Sequence, residues 1–332
     1  MSATSPVDPL NATAVRRRQW THRLALFLCA ATLVLLAAGA LVTGTGSSLA
    51  VPDWPLAYGQ VFPPMVGGIL FEHGHRMIAA TVGFLTVCLA IWMAVVEPRR
   101  WVRWLGFAAI GAVVLQGVLG GITVLFLLPK PVSISHALLA QIFFSTSVII
   151  AQVTSPAWPK WVQDVGSARG SSMRWLALVT LIAVECELLL GAVVRHFNAG
   201  LIIPDFPLAL GQVIPPLDSF PVAVHFAHRV WAVVTFILIL ATAWSVFRRH
   251  PRDLALKQRA IALVILVIFQ VTLGAFVIWT QRNLAVTTLH VVNGGLVLAA
   301  TVLVTLRTWM IEKPAPGTAA SMAGHSAPAP SR

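Results

Sequence analysis

Eight long apolar runs, separated by short polar or Pro-rich segments, set the pattern of this chain: roughly 23–43, 70–95, 103–127, 133–154, 174–195, 222–247, 257–280 and 285–310. Each is close to the ~20 residues needed to cross the hydrocarbon of a bilayer. Helices satisfy their own backbone polar groups there, so eight transmembrane helices are predicted. The first run follows Arg16-Arg17-Arg18 as a signal peptide would, but Leu24 to Val42 is longer than an h-region and more spans follow. It is read as the first span, and no transit peptide is evident. Lys and Arg cluster before span 1 and between spans 2 and 3, 4 and 5, and 6 and 7. The alternate loops hold little beyond Lys130, Arg195 and Arg282. The positive-inside rule then predicts a multi-pass membrane protein with both termini cytoplasmic. It sends two long loops, about 44–69 and 196–221, outward.

The pattern repeats. Pro52-Asp53-Trp54-Pro55-Leu56-Ala57-Tyr58-Gly59-Gln60 in the first outer loop matches Pro204-Asp205-Phe206-Pro207-Leu208-Ala209-Leu210-Gly211-Gln212 in the second. Gln116 and Gly120 match Gln270 and Gly274, and His136 matches His290. The predicted fold is all-α: eight transmembrane helices as two tandem four-helix bundles. Each unit has an even number of spans, so the two share one orientation and a pseudo-two-fold axis along the membrane normal. The expected divisions are a cytoplasmic segment 1–22, an N-terminal bundle 23–155, a linker 156–173, a C-terminal bundle 174–310 and a disordered tail 311–332.

Composition agrees. Of 332 residues, 58% are hydrophobic and 10% charged, against about 25% charged in soluble domains. The net charge of +12 sits in short clusters between apolar runs, so a nucleic-acid partner is not expected, and membrane lipid is. Cys29, Cys88 and Cys186 all fall inside apolar runs, which argues for packing and against a disulfide framework.

The candidate chemistry lies in the repeat. Glu72-x-x-His75-Arg76 recurs about 153 residues later as His225-x-x-His228-Arg229, and three-residue spacing puts each leading pair on one helix face. With His136 and His290, this gives four histidines within about two turns of the outer ends of spans 2, 4, 6 and 8. Polar side chains are costly at that depth and are usually functional or paired. Two facing imidazoles inside a four-helix bundle suit haem iron. Zinc is the weaker candidate, because it wants three or four ligands. Gly74, Gly120, Gly121, Gly274, Gly294 and Gly295 let a flat macrocycle or another helix approach. Arg76 and Arg229 are candidates for haem propionates, or for interfacial snorkelling. Glu72, where the second copy has His225, suggests that the first half does chemistry and the second holds a permanent cofactor; fixing an imidazole tautomer is the plainer role. His73 points away from His75 on a helix. Glu187 stands four residues before Gly191, as Gln116 does before Gly120 and Gln270 before Gly274, a recurrent interhelical hydrogen-bonding position.

Taken together, the eight spans in two halves, Glu72-x-x-His75-Arg76, the Pro-Asp-Trp-Pro loop, and His136, His228 and His290 resemble the haem A synthase family over about residues 24–310. That resemblance implies oxidation of a methyl group of haem O to a formyl group, with molecular oxygen as oxidant, making haem A for terminal oxidases. It implies that His75 and His136 flank the substrate haem with Glu72 beside it, and that His228 and His290 hold haem B. The implied partners are the farnesyltransferase that makes haem O and an electron donor, a ferredoxin or the quinol pool. A homo-oligomer is left open. Many members of the family carry cysteine pairs in the outer loops; here Val51 and Ala57, and Ile203 and Ala209, flank the shared element instead. Two other readings stay open on the residues alone: a two-haem b-type electron carrier without haem chemistry, and a transporter built on internal repeats, disfavoured because the polar residues lie near one surface.

Overall fold

The computed structural model describes residues 9–158 and 171–311. Residues 1–8, most of the expected linker and the tail from 312 lie outside the described residues. The eight helices found are α1 Pro9–Gly44, α2 Gly67–Val96, α3 Arg100–Leu125, α4 Lys130–Thr154, α5 Ser171–His196, α6 Phe220–Arg249, α7 Leu254–Trp279 and α8 Leu284–Ile311, with a short 3₁₀ turn at Ala199–Leu201. All eight are long and apolar enough to cross a membrane. The apolar runs forecast the helices to within a few residues, except at the start of α1. There the helix continues back through Arg16-Arg17-Arg18 to Pro9, because helical hydrogen bonding does not stop where hydropathy falls.

Helices α1–α4 pack as a closed ring, α1 on α2, α2 on α3, α3 on α4 and α4 on α1, and α5–α8 do the same. Between the rings, α1 meets α8, α5 meets α4, and α4 meets α8. Exchanging each helix for its repeat mate leaves that list unchanged, which is what a two-fold axis running between α4 and α8 requires. The connections obey the same repeat: Leu127 and Leu128 after α3, and Gln281 and Arg282 after α7, all take left-handed φ values.

The packed interior occupies one end of the molecule. In the first ring it is built from Leu28, Val82, Leu89, Met93, Val102 and Ile150. In the second it is built from Met173, Val184, Ile239, Leu256, Leu263 and Leu298. Both groups lie toward the end opposite the Pro-rich loops. Lipid tails are as apolar as leucine, so close packing and interhelical hydrogen bonds hold these helices, not expulsion from water. Ion pairs fasten the same end: Arg99 Nε and Nη2 donate to Glu97 Oε1 and Oε2 at 2.7 and 2.9 Å, and Arg307 Nη2 pairs with Asp253 Oδ2 at 2.8 Å. The floor is thus tight, and the loop end of each ring is where polar side chains gather.

Candidate functional site

Each loop is a rigid cap built by one aspartate. Asp53 accepts from the Tyr58 and Gly59 N–H groups at 2.7 and 2.8 Å. Ala57 and Gln60 exchange both backbone hydrogen bonds across a two-residue turn, with positive φ at Tyr58 and Gly59. Such a turn asks for φ > 0 at both central positions, which is why glycine fills the second. Asp205, Leu210, Gly211, Ala209 and Gln212 repeat the arrangement. The Gly59 and Tyr58 N–H groups hold the Asp53 carboxyl below the usual carboxylate range, and Gly211 and Leu210 do the same for Asp205. Val51, Ala57, Ile203 and Ala209, which flank the shared loop element, are buried apolar residues. All three cysteines of the chain are free.

The arginine after each histidine ties this cap to its helix. Arg76 Nη1 donates to the Asp53 and Leu56 carbonyls at 2.7 and 2.9 Å, and Nη2 to Val51 O at 3.2 Å. Arg229 repeats the set on Asp205, Leu208 and Ile203, all at 2.8–2.9 Å. Spacing alone left these arginines as propionate partners or interfacial snorkellers; the structure directs their Nη groups to loop carbonyls. Glu72, 4% exposed, joins the same clamp. Its Oε1 accepts from Arg76 Nη2 at 2.7 Å, and its Oε2 accepts from the Val51 N–H at 2.8 Å. In the second half, His225 Nε2 accepts from Arg229 Nε at 3.4 Å. His73, set aside on sequence, is also a loop anchor: its Nε2 lies 2.9 Å from Val61 O. A carbonyl partner leaves no trace in sequence, so only the buried position of His73 on a membrane helix hinted at this.

Beneath the caps stand the four histidines of the repeat, each about 9–12 Å from the loop end of its helix at 1.5 Å per residue. Each imidazole lies edge-on over a glycine of the neighbouring helix. A Cβ added at Gly39 would meet His75 Cε1 at 3.2 Å, at Gly120 His136 Cε1 at 3.4 Å, at Gly191 His228 Cε1 at 3.3 Å, and at Gly274 His290 Cε1 at 3.3 Å. Each of these glycines lies five residues before the end of its helix. Gly39 was not singled out on sequence, because it sits among small and apolar residues, and Gly191 was named only for its spacing from Glu187. Of the others named there, Gly121 receives the Trp54 ring, 3.0 Å from where a Cβ would stand. Gly294 and Gly295 face Leu188 and Leu36 in plain helix packing.

His75 and His136 share the first ring and His228 and His290 the second, at matching depth and each against a glycine of a neighbouring helix. The Nδ1 atoms of His75, His136 and His290 are buried and make no hydrogen bond of good geometry, each imidazole facing the backbone carbonyl of Leu35, Gln116 or Gln270 in turn. His228 Nδ1 lies 3.0 Å from Glu187 Oε1, at ion-pair distance but off the line of a hydrogen bond. Gln116 Nε2 donates to the His136 carbonyl at 3.0 Å, and Gln270 Nε2 to the His290 carbonyl at 3.1 Å. The position four residues before each glycine thus serves the facing histidine in three cases of four; in the fourth it is Leu35, before Gly39.

These observations test the fit of a metalloporphyrin. Each imidazole edge has a cradle that a single methyl would fill, and bis-histidine ligation from opposite sides needs two imidazoles facing across a bundle. Among the described residues, no group of three or more His, Cys, Asp or Glu side chains could hold a bare metal ion. The residues fit haem.

The family described as cytochrome oxidase assembly protein matches residues 67–302. The chain belongs to that family. Heme A synthase of Symbiobacterium thermophilum is 32% identical over 277 residues, 80% of this chain and 89% of the relative. Heme A synthase of Alkalihalophilus pseudofirmus is 30% identical over 264 residues, 78% and 87% of the two chains. That of Geobacillus kaustophilus is 29% identical over 309 residues, 90% and 95%.

Proposed function

We propose that the protein is a haem A synthase, a membrane oxidoreductase that oxidises a methyl group of haem O to the formyl group of haem A. The observation that carries this is the duplicated histidine pair, seated on four glycines, with unlike partners in the two halves. His75 and His136, in the bundle 23–155, would hold the substrate haem O. His228 and His290, in the bundle 174–310, would hold haem B, whose iron supplies one-electron transfer when bound.

The chain's own residues position and shelter. Gly39 and Gly120 let the imidazoles of His75 and His136 sit against the neighbouring helices, which fixes their ring planes. Trp54, lying over Gly121, and the Asp53 turn roof the first bundle and keep water from the reacting methyl. Glu72, one turn from His75, holds that roof to α2 through Val51 N–H and Arg76. It is a positioning residue in this arrangement, and any proton it carried to the reaction would have to leave the clamp. Arg76 and Arg229 stay candidates for the propionate edge only through atoms beyond the Nη contacts described above.

The oxidant is molecular oxygen, with electrons from a ferredoxin or quinol and haem O from a farnesyltransferase. The Arg-rich ends lie opposite the capped ends. This supports a plasma-membrane setting with both termini cytoplasmic.

The test is co-expression with a haem O-forming farnesyltransferase, followed by chromatography of the extracted haems. Haem A is expected from the native chain, and haem O alone from Glu72→Ala with haem B retained. Haem B without haem A from the native chain would favour a two-haem electron carrier.

A further inference from the structure

A crevice of about 390 Å³ opens between the two bundles, where α5 meets α4. Its walls are aliphatic, with Leu138 on α4 and Ile182 and Leu189 on α5. Ile182 and Leu189 are exposed on the flank of the bundle and form the mouth. Two polar atoms line it without any hydrogen-bond partner: Ser145 Oγ, on a side chain only 9% exposed, and Glu185 Oε2. Neither belongs to the histidine sites. Ser145 lies about nine residues beyond His136 on α4, and Glu185 falls near the middle of the 25-residue span of α5.

The repeat shows that the fold does not require these groups. The equivalent contact, where α1 meets α8, carries Leu33 in place of Glu185 and Ala299 in place of Ser145. One of two equivalent helix contacts holds a half-buried carboxylate with one unsatisfied oxygen and a buried hydroxyl without a partner, both at mid-membrane depth. Such groups are costly unless something completes them.

We propose that this crevice binds a lipid-soluble quinol, its ring hydroxyls hydrogen-bonded to Glu185 and Ser145 and its tail leaving between Ile182 and Leu189. Depth and access choose the occupant. A phospholipid headgroup stays at the surface, a soluble protein cannot reach mid-bilayer, and an ion would want more than one carboxylate. A flat ring with hydroxyl or carbonyl groups and an apolar tail travels in the hydrocarbon and offers both the donor that the carboxylate needs and a partner for the serine. The place is apt for a reductant, since Glu185 and Glu187 lie on opposite faces of α5 and Glu187 faces His228, so one helix separates the crevice from the second histidine pair. The role as electron donor rests on the oxidation proposed above; the binding does not.

The probe is an azidoquinone with a ten-carbon tail, photolysed with the full chain in phosphatidylcholine nanodiscs and mapped by peptide mass spectrometry. Label is expected on the segments around Ser145 and Glu185, competed by decylubiquinone and not by excess phospholipid. Glu185→Leu, which copies the equivalent contact, is expected to lower labelling at least about tenfold, the loss of one hydrogen bond to a charged group. Glu185→Gln keeps a hydrogen-bonding group there and is expected to lower it no more than about threefold. Leu138→Trp, which fills the crevice without touching either polar group, is expected to abolish labelling, with an unchanged haem spectrum reporting the fold. Label spread equally over both contacts, indifferent to Glu185→Leu, or displaced by phospholipid would overturn the proposal. Because labelling needs no turnover, that outcome is distinguishable from a failure to make haem A.

Discussion

The two halves share a cap, an arginine clamp and a histidine pair, yet differ at two positions beside the first histidine of each pair. In the second half, Glu187 stands 3.0 Å from His228 Nδ1, and His225 replaces the carboxylate one turn earlier. In the first, Leu35 stands at the position of Glu187 and offers His75 its backbone carbonyl but no polar side chain, and Glu72 is committed to the loop at Val51. A carboxylate behind a ligating imidazole fixes its orientation and raises its basicity, so iron is held more tightly. A loop latched by a carboxylate to the helix that bears the histidine couples the roof to the ligand. On the function proposed above, the second half would keep a haem, and the first would admit one and cover it. Two copies of one scaffold have been specialised by about two side chains each.

The largest effect expected from breaking this contrast comes from the ligands. His228→Ala or His290→Ala should remove the retained low-spin b-type spectrum from the purified protein, whereas His75→Ala or His136→Ala should leave it and abolish haem A formation. Exchanging the second-half partner comes next. Glu187→Leu, which makes the second site resemble the first, should weaken haem retention by about 10–100-fold and raise the reduction potential, both readable in a redox titration. Leu35→Glu should move the first site the other way, slowing the exchange of its haem.

The roof comes third. Glu72→Gln loses the ion pair with Arg76 and weakens the acceptor for Val51 N–H, a cost of about 1–3 kcal/mol. It should speed amide exchange across 44–66 while leaving 196–219 unchanged. Gly39→Ala and Gly191→Ala should each displace an imidazole by a few tenths of an ångström and broaden the spectrum of its own half alone. The smallest effect should be common to both halves. The Asp53 and Asp205 carboxyls titrate below their ordinary range, so the turns they hold are intact above that range. The turns loosen only as pH falls through the depressed values, and amide exchange at Tyr58 and Leu210 should rise together in acid.

Much of this was legible in the chain. Eight apolar runs of spanning length can hardly form anything but helices in a bilayer, and the Asp53 and Asp205 loops announce the duplication by near-identity. The histidines stood out because imidazole is rare at membrane depth. Glu187 was found as a polar position in register with Gln116 and Gln270, although its contact with His228 needed the folded chain. What stayed hidden involves backbone or absence. Arg76 and Arg229 meet carbonyls, which every residue carries, so nothing in the pattern pointed to a clamp. Gly39 matters because it lacks a side chain, within a run of alanines and leucines where one more small residue attracts no notice. The emptiness at Leu35 is visible only once its three polar counterparts are seen against their histidines.

The division of labour between the halves is tested most directly by measuring haem type and content in His75→Ala and His228→Ala, purified after co-expression with a haem O source. Haem B at native occupancy with no haem A in the first variant, and loss of haem B in the second, is the predicted result. Haem B kept at full occupancy by His228→Ala, or haem A made at the native level by His75→Ala, would contradict it.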